Sequence, residues 1–190
     1  AEISKDVRAY VLEPDASHGT AKLSYFRPGQ YLSITLNIGS AVVTRPYTIC
    51  SSPLRSVDDE YVIIDRKIPH GFASTHIFNT WIKGTKIKAS APQGTFYYQK
   101  LRDSKNIIGI CDSSGISSFL SMAEAISDGT LDIDLTLLYS ARKRNETIMT
   151  ERLSELADNT DKFRVVYVFS DERAEKCERG FVTKTLIEKY

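Results

Sequence analysis

The run Arg45-Pro46-Tyr47-Thr48-Ile49-Cys50-Ser51-Ser52-Pro53 gathers a fixed cation, a phenol and several hydroxyls within a few residues. In an extended strand Arg45 and Tyr47 project from one face, where the guanidinium can anchor an anion and the phenol can lie against a flat ring. Thr48 points the other way unless the strand bends. Taken alone, these residues also describe an ordinary surface strand with one arginine. Farther along, Asp112-Ser113-Ser114-Gly115-Ile116-Ser117-Ser118 reads as a strand-to-helix turn with serine caps. Arg142, Lys143 and Arg144 form a cationic cluster that suits either an anion or plain solvation. Nothing supports hydrolysis: there are no paired carboxylates, no Ser/His/Asp set and no P-loop, and Asp58-Asp59-Glu60 reads as a solvated acidic turn. His18, His70 and His76 have no ligand spacing, and Cys50, Cys111 and Cys177 include no C-x-x-C pair, so no metal site is expected.

The elements that must position these groups fall into two textures. In the first hundred residues Tyr31–Leu36 alternates strictly, with Leu32, Ile34 and Leu36 on one face, after a Pro28-Gly29 turn signal. Tyr61–Ile64 and Lys86–Ala91 are further strand-like runs, and evenly spaced short strands indicate an antiparallel barrel or sandwich. One helix interrupts them over 74–82, with Ser74 as its expected N-cap and Ile77, Phe78, Trp81 and Ile82 at helical spacing. After the charged stretch 100–105 the pattern changes. Asn106–Cys111 is a continuous apolar run, expected to be a strand buried on both faces. A helix over 116–127, a strand over 134–139, an amphipathic segment over 148–156 and a strand over 164–169 follow. That alternation is the signature of a parallel sheet with crossover helices.

Composition narrows the partners. With 25 basic against 24 acidic side chains among 190 residues, the chain has no field for non-specific nucleic-acid or membrane binding. Its 42% hydrophobic and 26% charged residues are those of a folded globular chain. No apolar run approaches the ~20 residues that a membrane-spanning helix needs. The first residues, from Ala1 to Asp6, contain no apolar signal-peptide core. The absence of an initial Met points to processing or to an engineered start, and the odd, scattered cysteines point to a reducing compartment, expected to be the cytoplasm.

Taken together, the motifs resemble the ferredoxin–NADP reductase superfamily, in which a flavin-binding antiparallel β-barrel precedes an α/β Rossmann-like parallel-sheet nucleotide domain. P-G-Q-Y leading to R-x-Y-[ST] is matched by Pro28–Tyr31 and Arg45–Thr48. G-x-x-S is matched by Gly71-Phe72-Ala73-Ser74, with His70 where the family has a further glycine. Pro92-Gln93-Gly94-Thr95-Phe96 is similar to the G-P-x-G-x-F stretch, with Ala91 in the first glycine's place. The resemblance implies that Arg45 holds a flavin phosphate, that Tyr47 packs on the isoalloxazine and ribityl side, and that Thr48 reaches the reactive N5 edge. It also implies flavin contacts from Pro46, Ile64 and Thr75, and phosphate binding at Gly71 and Ser74, where open N–H groups and the helix dipole favour an anion.

In the second half the family's G-G-S-G-I-T-P element is matched by Ser114, Gly115, Ile116 and Ser117, while Asp112 and Ser113 replace two glycines. A carboxylate beside a pyrophosphate is electrostatically unfavourable, so either the nucleotide sits differently or the site binds it poorly. Leu137–Arg142 resembles L-x-Y-G-x-R, which implies that Tyr139 and Arg142 meet the adenosine end; a 2′-phosphate on the basic cluster would favour NADPH. Gly180-Phe181-Val182-Thr183 resembles the G-x-V-T element, and the expected C-G-P-x-x-M strand and helix are missing before Tyr190.

The resulting expectation is two domains: a flavin-binding barrel over 1–100 and an NAD(P)-binding-like domain over 104–190. The implied activity is hydride transfer from NAD(P)H to N5 of FAD, preferred by resemblance over FMN. Electrons would then pass to a small acceptor or to an iron–sulfur or other redox protein. Two alternatives are a flavin-bearing electron-transfer subunit with a degenerate nucleotide site and a regulatory domain without flavin.

Overall fold

Strand alternation and turn chemistry set the first half of the chain. The computed structural model describes residues 1–190 apart from the side chain of Ser114, and divides them into two units, Ala1–Tyr97 and Tyr98–Tyr190. In the first unit, β1 (Glu2–Ser4), β2 (Val7–Leu12) and β5 (Tyr61–Arg66) form one antiparallel sheet. The other contains β4 (Ala41–Thr48), β3 (Tyr31–Ile38) and β6 (Lys88–Ala89), also antiparallel. A bridge between Ile49 and Ile63 joins the two sheets. Their inward faces close on one core: Leu32, Ile34 and Leu36 from β3, Tyr61 and Ile63 from β5, and Ile77 and Trp81 from the helical segment after β5. The alternating apolar row of β3 is therefore what pins the register, because a one-residue slip would turn all three side chains outward.

Two expected elements differ in detail. The helix α1 runs Phe72–Thr80 with Gly71 as N-cap, so Ser74 is not the cap but lies in the first turn. The Ser74 hydroxyl is turned back to accept the Ile68 N–H at 3.2 Å, fastening the helix to the preceding loop. Ile82 falls beyond the helix and is exposed, while Trp81 closes it and is buried. In the expected strand 86–91, only Lys88–Ala89 pairs as a strand, because the Ser90 hydroxyl takes the Ser33 N–H at 2.9 Å in place of a backbone carbonyl.

The second unit is a four-stranded parallel sheet ordered β10–β9–β8–β7, from Glu178–Arg179, Phe163–Phe169, Asp134–Ala141 and Asn106–Asp112. Helices α2 (Ile116–Ser127), α3 (Thr150–Asn159) and α4 (Lys184–Lys189) complete it. Phe119, Leu120, Ala123 and Ile126 are the buried stripe of α2, as their spacing predicts. Leu186 and Ile187 of α4 pack against Leu138, Val166 and Val168. The strand expected to be buried on both faces is instead at the edge: β7 leaves Ile108 37% and Ile110 47% exposed. Its apolar run could not reveal which position in the sheet it takes. The covered face of β7 carries Gly109, where an added Cβ would stand 2.5 Å from the Phe119 ring.

That contact makes Gly109→Ala an over-packing change, expected to cost about 2 kcal/mol in denaturant unfolding. Ile110→Ala on the open face should cost well under half as much. Equal losses would mean that α2 does not seat on Gly109 as described.

Candidate functional site

In the first unit, the pairing of β3 with β4 sets the chemistry-bearing run on a rigid ladder, with Leu32 opposite Tyr47 and Tyr31 opposite Thr48. Arg45 is exposed; its Nη1 donates to the Thr44 carbonyl at 2.8 Å, and among the described residues no carboxylate pairs with it. A guanidinium fixed in direction but without an anionic partner can receive an anion. Pro46 is exposed, while Tyr47, Thr48 and Ile64 are half-buried. The Ile49–Ile63 bridge brings the ends of β4 and β5 together, so Thr48 and Ile64 lie next to the junction of the sheets.

Gly71, Ser74 and Thr75 open α1. The first intrahelical donor is Thr75, whose N–H reaches the Gly71 carbonyl, so the N–H groups of Phe72, Ala73 and Ser74 have no acceptor within the helix. Gly71 itself makes no side-chain cap, and a Cβ there would meet Ser74 Oγ at 2.4 Å and the Ile68 carbonyl oxygen at 3.0 Å. The site is thus an uncapped helix start that excludes side chains, which fits a phosphate. Beside it His70 holds a left-handed backbone with φ of 60°, the conformation in which glycine is free of strain.

Beneath this surface lies a carboxylate that the sequence motifs do not mark. Asp65 continues the inward row of Tyr61 and Ile63 and is 3% exposed. The Tyr47 hydroxyl donates to its Oδ1 at 3.2 Å, while its Oδ2 is buried without a hydrogen-bond partner. Burial pushes the Asp65 carboxyl up to about 6, against the Tyr47 hydrogen bond that favours its ionised form. Burial and then the Asp65 charge raise the Tyr47 phenol. Counting inward positions along β5 was the one available signal for Asp65.

In the second unit, Gly115 caps α2 without a side-chain bond, and Ile116 and Ser117 are buried in its first turn. These residues can offer backbone N–H groups to an anion; the Ser114 side chain lies outside the described residues. Gly115 is less constrained than Gly71, since an added Cβ meets the Cys111 Cβ at an ordinary 3.4 Å. Asp112 is exposed at the end of β7, and Ser113 has a left-handed φ of 34°.

Tyr139 departs from its expected role. It is fully buried; its hydroxyl accepts the Ile148 N–H at 3.0 Å and donates to the Ser113 carbonyl at 3.3 Å. It therefore ties together the loops after β7 and β8 and has no surface to offer a nucleotide. Arg142 is exposed as expected, but Glu146 already holds it, with Nη2 to Oε1 at 2.6 Å. Such exposed pairs are worth at most about 1 kcal/mol, so a phosphate can displace this one.

The two halves of the chain match known families. Residues 1–98 match the family model "Oxidoreductase FAD-binding domain" and residues 110–190 the model "Oxidoreductase NAD-binding domain". The chain is 27% identical to the glycine betaine monooxygenase reductase subunit of Chromohalobacter salexigens over 96% of its own length and 49% of that protein. It is 30% identical to NADH-cytochrome b5 reductase 1 of Dictyostelium discoideum, covering 84% and 55%. The chain thus spans about half the length of these curated relatives. Among solved structures, the FAD/NAD-binding domain of nitric oxide dioxygenase from Vibrio cholerae superposes with a TM-score of 0.81 at 20% identity, covering 96% of this chain and 76% of that one. A ferredoxin NADP+ reductase from Neisseria gonorrhoeae with bound FAD and NADP gives 0.75 at 22% identity, covering 98% and 71%.

Two stability measurements probe the site itself. His70→Gly removes a left-handed non-glycine residue and should stabilise the first unit by about 1 kcal/mol in urea unfolding; no gain would remove the strain assigned to His70. Because the folded state raises the Asp65 carboxyl above its ordinary value, folding binds its proton more tightly. The resulting penalty is absent below the ordinary carboxylate range, grows as pH rises, and is complete above 6. Asp65→Asn should therefore stabilise by about 2 kcal/mol at pH 8 and by little at pH 3.5. A gain of equal size at both pH values would contradict the raised carboxyl.

Proposed function

The chain belongs to the ferredoxin–NADP reductase superfamily, and from that membership we propose that it is an NAD(P)H-dependent flavin oxidoreductase that delivers electrons to a protein or small acceptor. The observations that carry this reading are an exposed Arg45 without a carboxylate partner and an uncapped α1 start in the same unit. The donor set fits FAD: Arg45 and the N–H groups of Phe72, Ala73 and Ser74 for its phosphates, Tyr47 for the flat ring system, and Thr48 beside the reactive edge. When bound, the flavin supplies the redox chemistry, accepting a hydride from NAD(P)H and releasing electrons to the acceptor.

The chain's own residues bind and orient. Arg45 neutralises phosphate charge from a strand that cannot shift without breaking the β3–β4 ladder. Gly71 keeps the helix start clear of side chains, and Thr48 contributes a hydroxyl donor on the same strand as Tyr47. In the second unit, the start of α2 and Arg142 would hold the nucleotide's pyrophosphate and adenosine end. The names of the relatives support an oxygenase, a ferredoxin or a cytochrome as the class of acceptor. An iron–sulfur or similar redox protein is accordingly the proposed partner, and the three free cysteines fit a reducing cytoplasm.

A second reading has its own support. The exposed Asp112 stands where a dinucleotide's phosphates would approach, which favours a subunit that takes electrons from a partner instead of NAD(P)H. Anaerobic mixing of the FAD-loaded protein with NADH and NADPH separates the two. Prompt loss of the flavin absorbance supports the reductase; persistence of the colour with both nucleotides selects the second reading. Arg45→Ala should weaken FAD binding roughly 10- to 100-fold while leaving the apo-protein's melting temperature unchanged. Undiminished FAD affinity would refute the phosphate role of Arg45.

A further inference from the structure

The Asp65 carboxylate is an expensive thing to keep inside the first unit. Two cations stand close to it in register or sequence, and neither pairs with it. Arg8, its cross-strand partner on β2, donates from Nη1 to the Phe78 carbonyl at 2.6 Å and lies over the Phe78 ring. Arg66, its neighbour on β5, pairs with Asp6 at 3.1 Å. Of the groups facing it, Tyr10 on β2 has a buried hydroxyl without a hydrogen-bond partner, and Tyr47 on β4 donates to it. No charge from α1, whose titratable side chain is His76, acts on it. A core position filled by a valine would avoid burying an unpaired charge. The Asp65 charge acts on the Tyr10 phenol, but the one side-chain hydrogen bond of Asp65 among the described residues is with the phenol of Tyr47.

Tyr47 is half-buried at the rim of the core, and its ring packs against the apolar cluster while its hydroxyl points inward to Asp65. A phenol held at its tip has fewer rotamers to lose when a flat ligand settles on the ring. We propose that Asp65 is a positioning residue for the flavin, acting through the Tyr47 hydroxyl to hold the Tyr47 ring in the orientation against which the isoalloxazine packs. This rests on the reading of the first unit as an FAD site with Tyr47 on the ring system. It assigns a functional reason to a side chain that otherwise only destabilises the fold.

The test uses the full chain, with FAD as the probe. Affinity is followed by flavin fluorescence and ring geometry by the visible circular dichroism of the bound flavin. Asp65→Val removes the acceptor at similar size and should weaken FAD binding about fivefold, the scale of one hydrogen bond. Asp65→Asn keeps a carbonyl acceptor and should restore affinity to within twofold of the unaltered protein. Tyr47→Phe should reproduce both the loss and the altered dichroism of Asp65→Val, and the double variant Asp65→Val/Tyr47→Phe should be no weaker than either single one. Melting of the apo-proteins at pH 8 should show both Asp65 variants at least as stable as the parent, so that weaker binding does not reflect unfolding.

Unchanged affinity and dichroism in Asp65→Val overturn the proposal while leaving the flavin site intact. So does an Asp65→Val loss that persists in full when Tyr47 is already Phe, since Asp65 would then act by another route. Tyr47→Ala with undisturbed FAD affinity and dichroism removes the parent assignment of Tyr47 and this proposal with it. Failure of the unaltered protein to take up FAD removes the flavin site as a whole.

Discussion

Residue 71 leaves little room for a side chain, and the turn from β5 into α1 is shaped by that constraint. A Cβ there would force the Ser74 hydroxyl to move and would press on the Ile68 carbonyl oxygen at 3.0 Å, so glycine suits the turn from β5 into α1. The turn is held from the helix side by the Ile68–Ser74 hydrogen bond and from the core side by Ala73 and Ile77. A helix start built this way cannot be capped by its own N-cap residue, and it leaves polar N–H groups that require an outside acceptor. The same fixed turn orients His70, Thr75 and the end of β5. The candidate phosphate site is thus a consequence of how the strand and helix are joined, not an addition to them.

The two units do not commit to their ligands equally. In the first, the tight glycine, the uncapped helix and the carboxylate-free Arg45 point to one chemistry. In the second, the corresponding helix start tolerates a Cβ at Gly115, carries an acidic group at the end of the preceding strand, and has its arginine already paired with Glu146. The loop conformation there depends on Tyr139, whose hydroxyl bridges Ser113 and Ile148 from within the core. Backbone N–H groups at such a helix start read phosphate and discriminate little between NADH and NADPH. The exposed charges of the basic cluster in this unit are Arg142, Lys143 and Arg144, with Arg142 paired to Glu146.

Patterns of period two and period 3.6 made most of the elements legible. The row Leu32, Ile34, Leu36 and the stripe Phe119, Leu120, Ala123, Ile126 are buried where their spacing puts them, because each has one apolar face to hide. What the sequence could not express was neighbourhood. The apolar run Asn106–Cys111 does not say which strands pair with it, because strand order is a long-range property. Tyr139 sits in a motif that resembles a nucleotide contact, yet its hydroxyl is consumed by two loops that are distant in sequence. The extra strands β1 and β2 are short and mixed in composition, with no clean alternation to announce them. The run Arg45–Thr48 stood out in the sequence because its residue types and spacing are local to one strand.

Asp65 shows how stability and function are traded within one patch of the barrel. His70 stores backbone strain, Asp65 carries an unpaired buried charge, and α1 begins without a side-chain cap; all three belong to β5 or the turn that follows it. The first unit carries two further costs of the same kind, a left-handed Asp59 and the buried, unpartnered Tyr10 hydroxyl, and the latter lies on β2, which pairs with β5. Strained and desolvated groups persist where the surrounding structure over-determines them, and they concentrate where a ligand can relieve them. A phosphate would satisfy the open N–H groups of α1, and a ring packed on Tyr47 would reward the phenol for its fixed position. On this view the barrel without ligand is the less complete state, and binding should stabilise it more than its modest size would suggest, by the usual linkage between occupancy and folding.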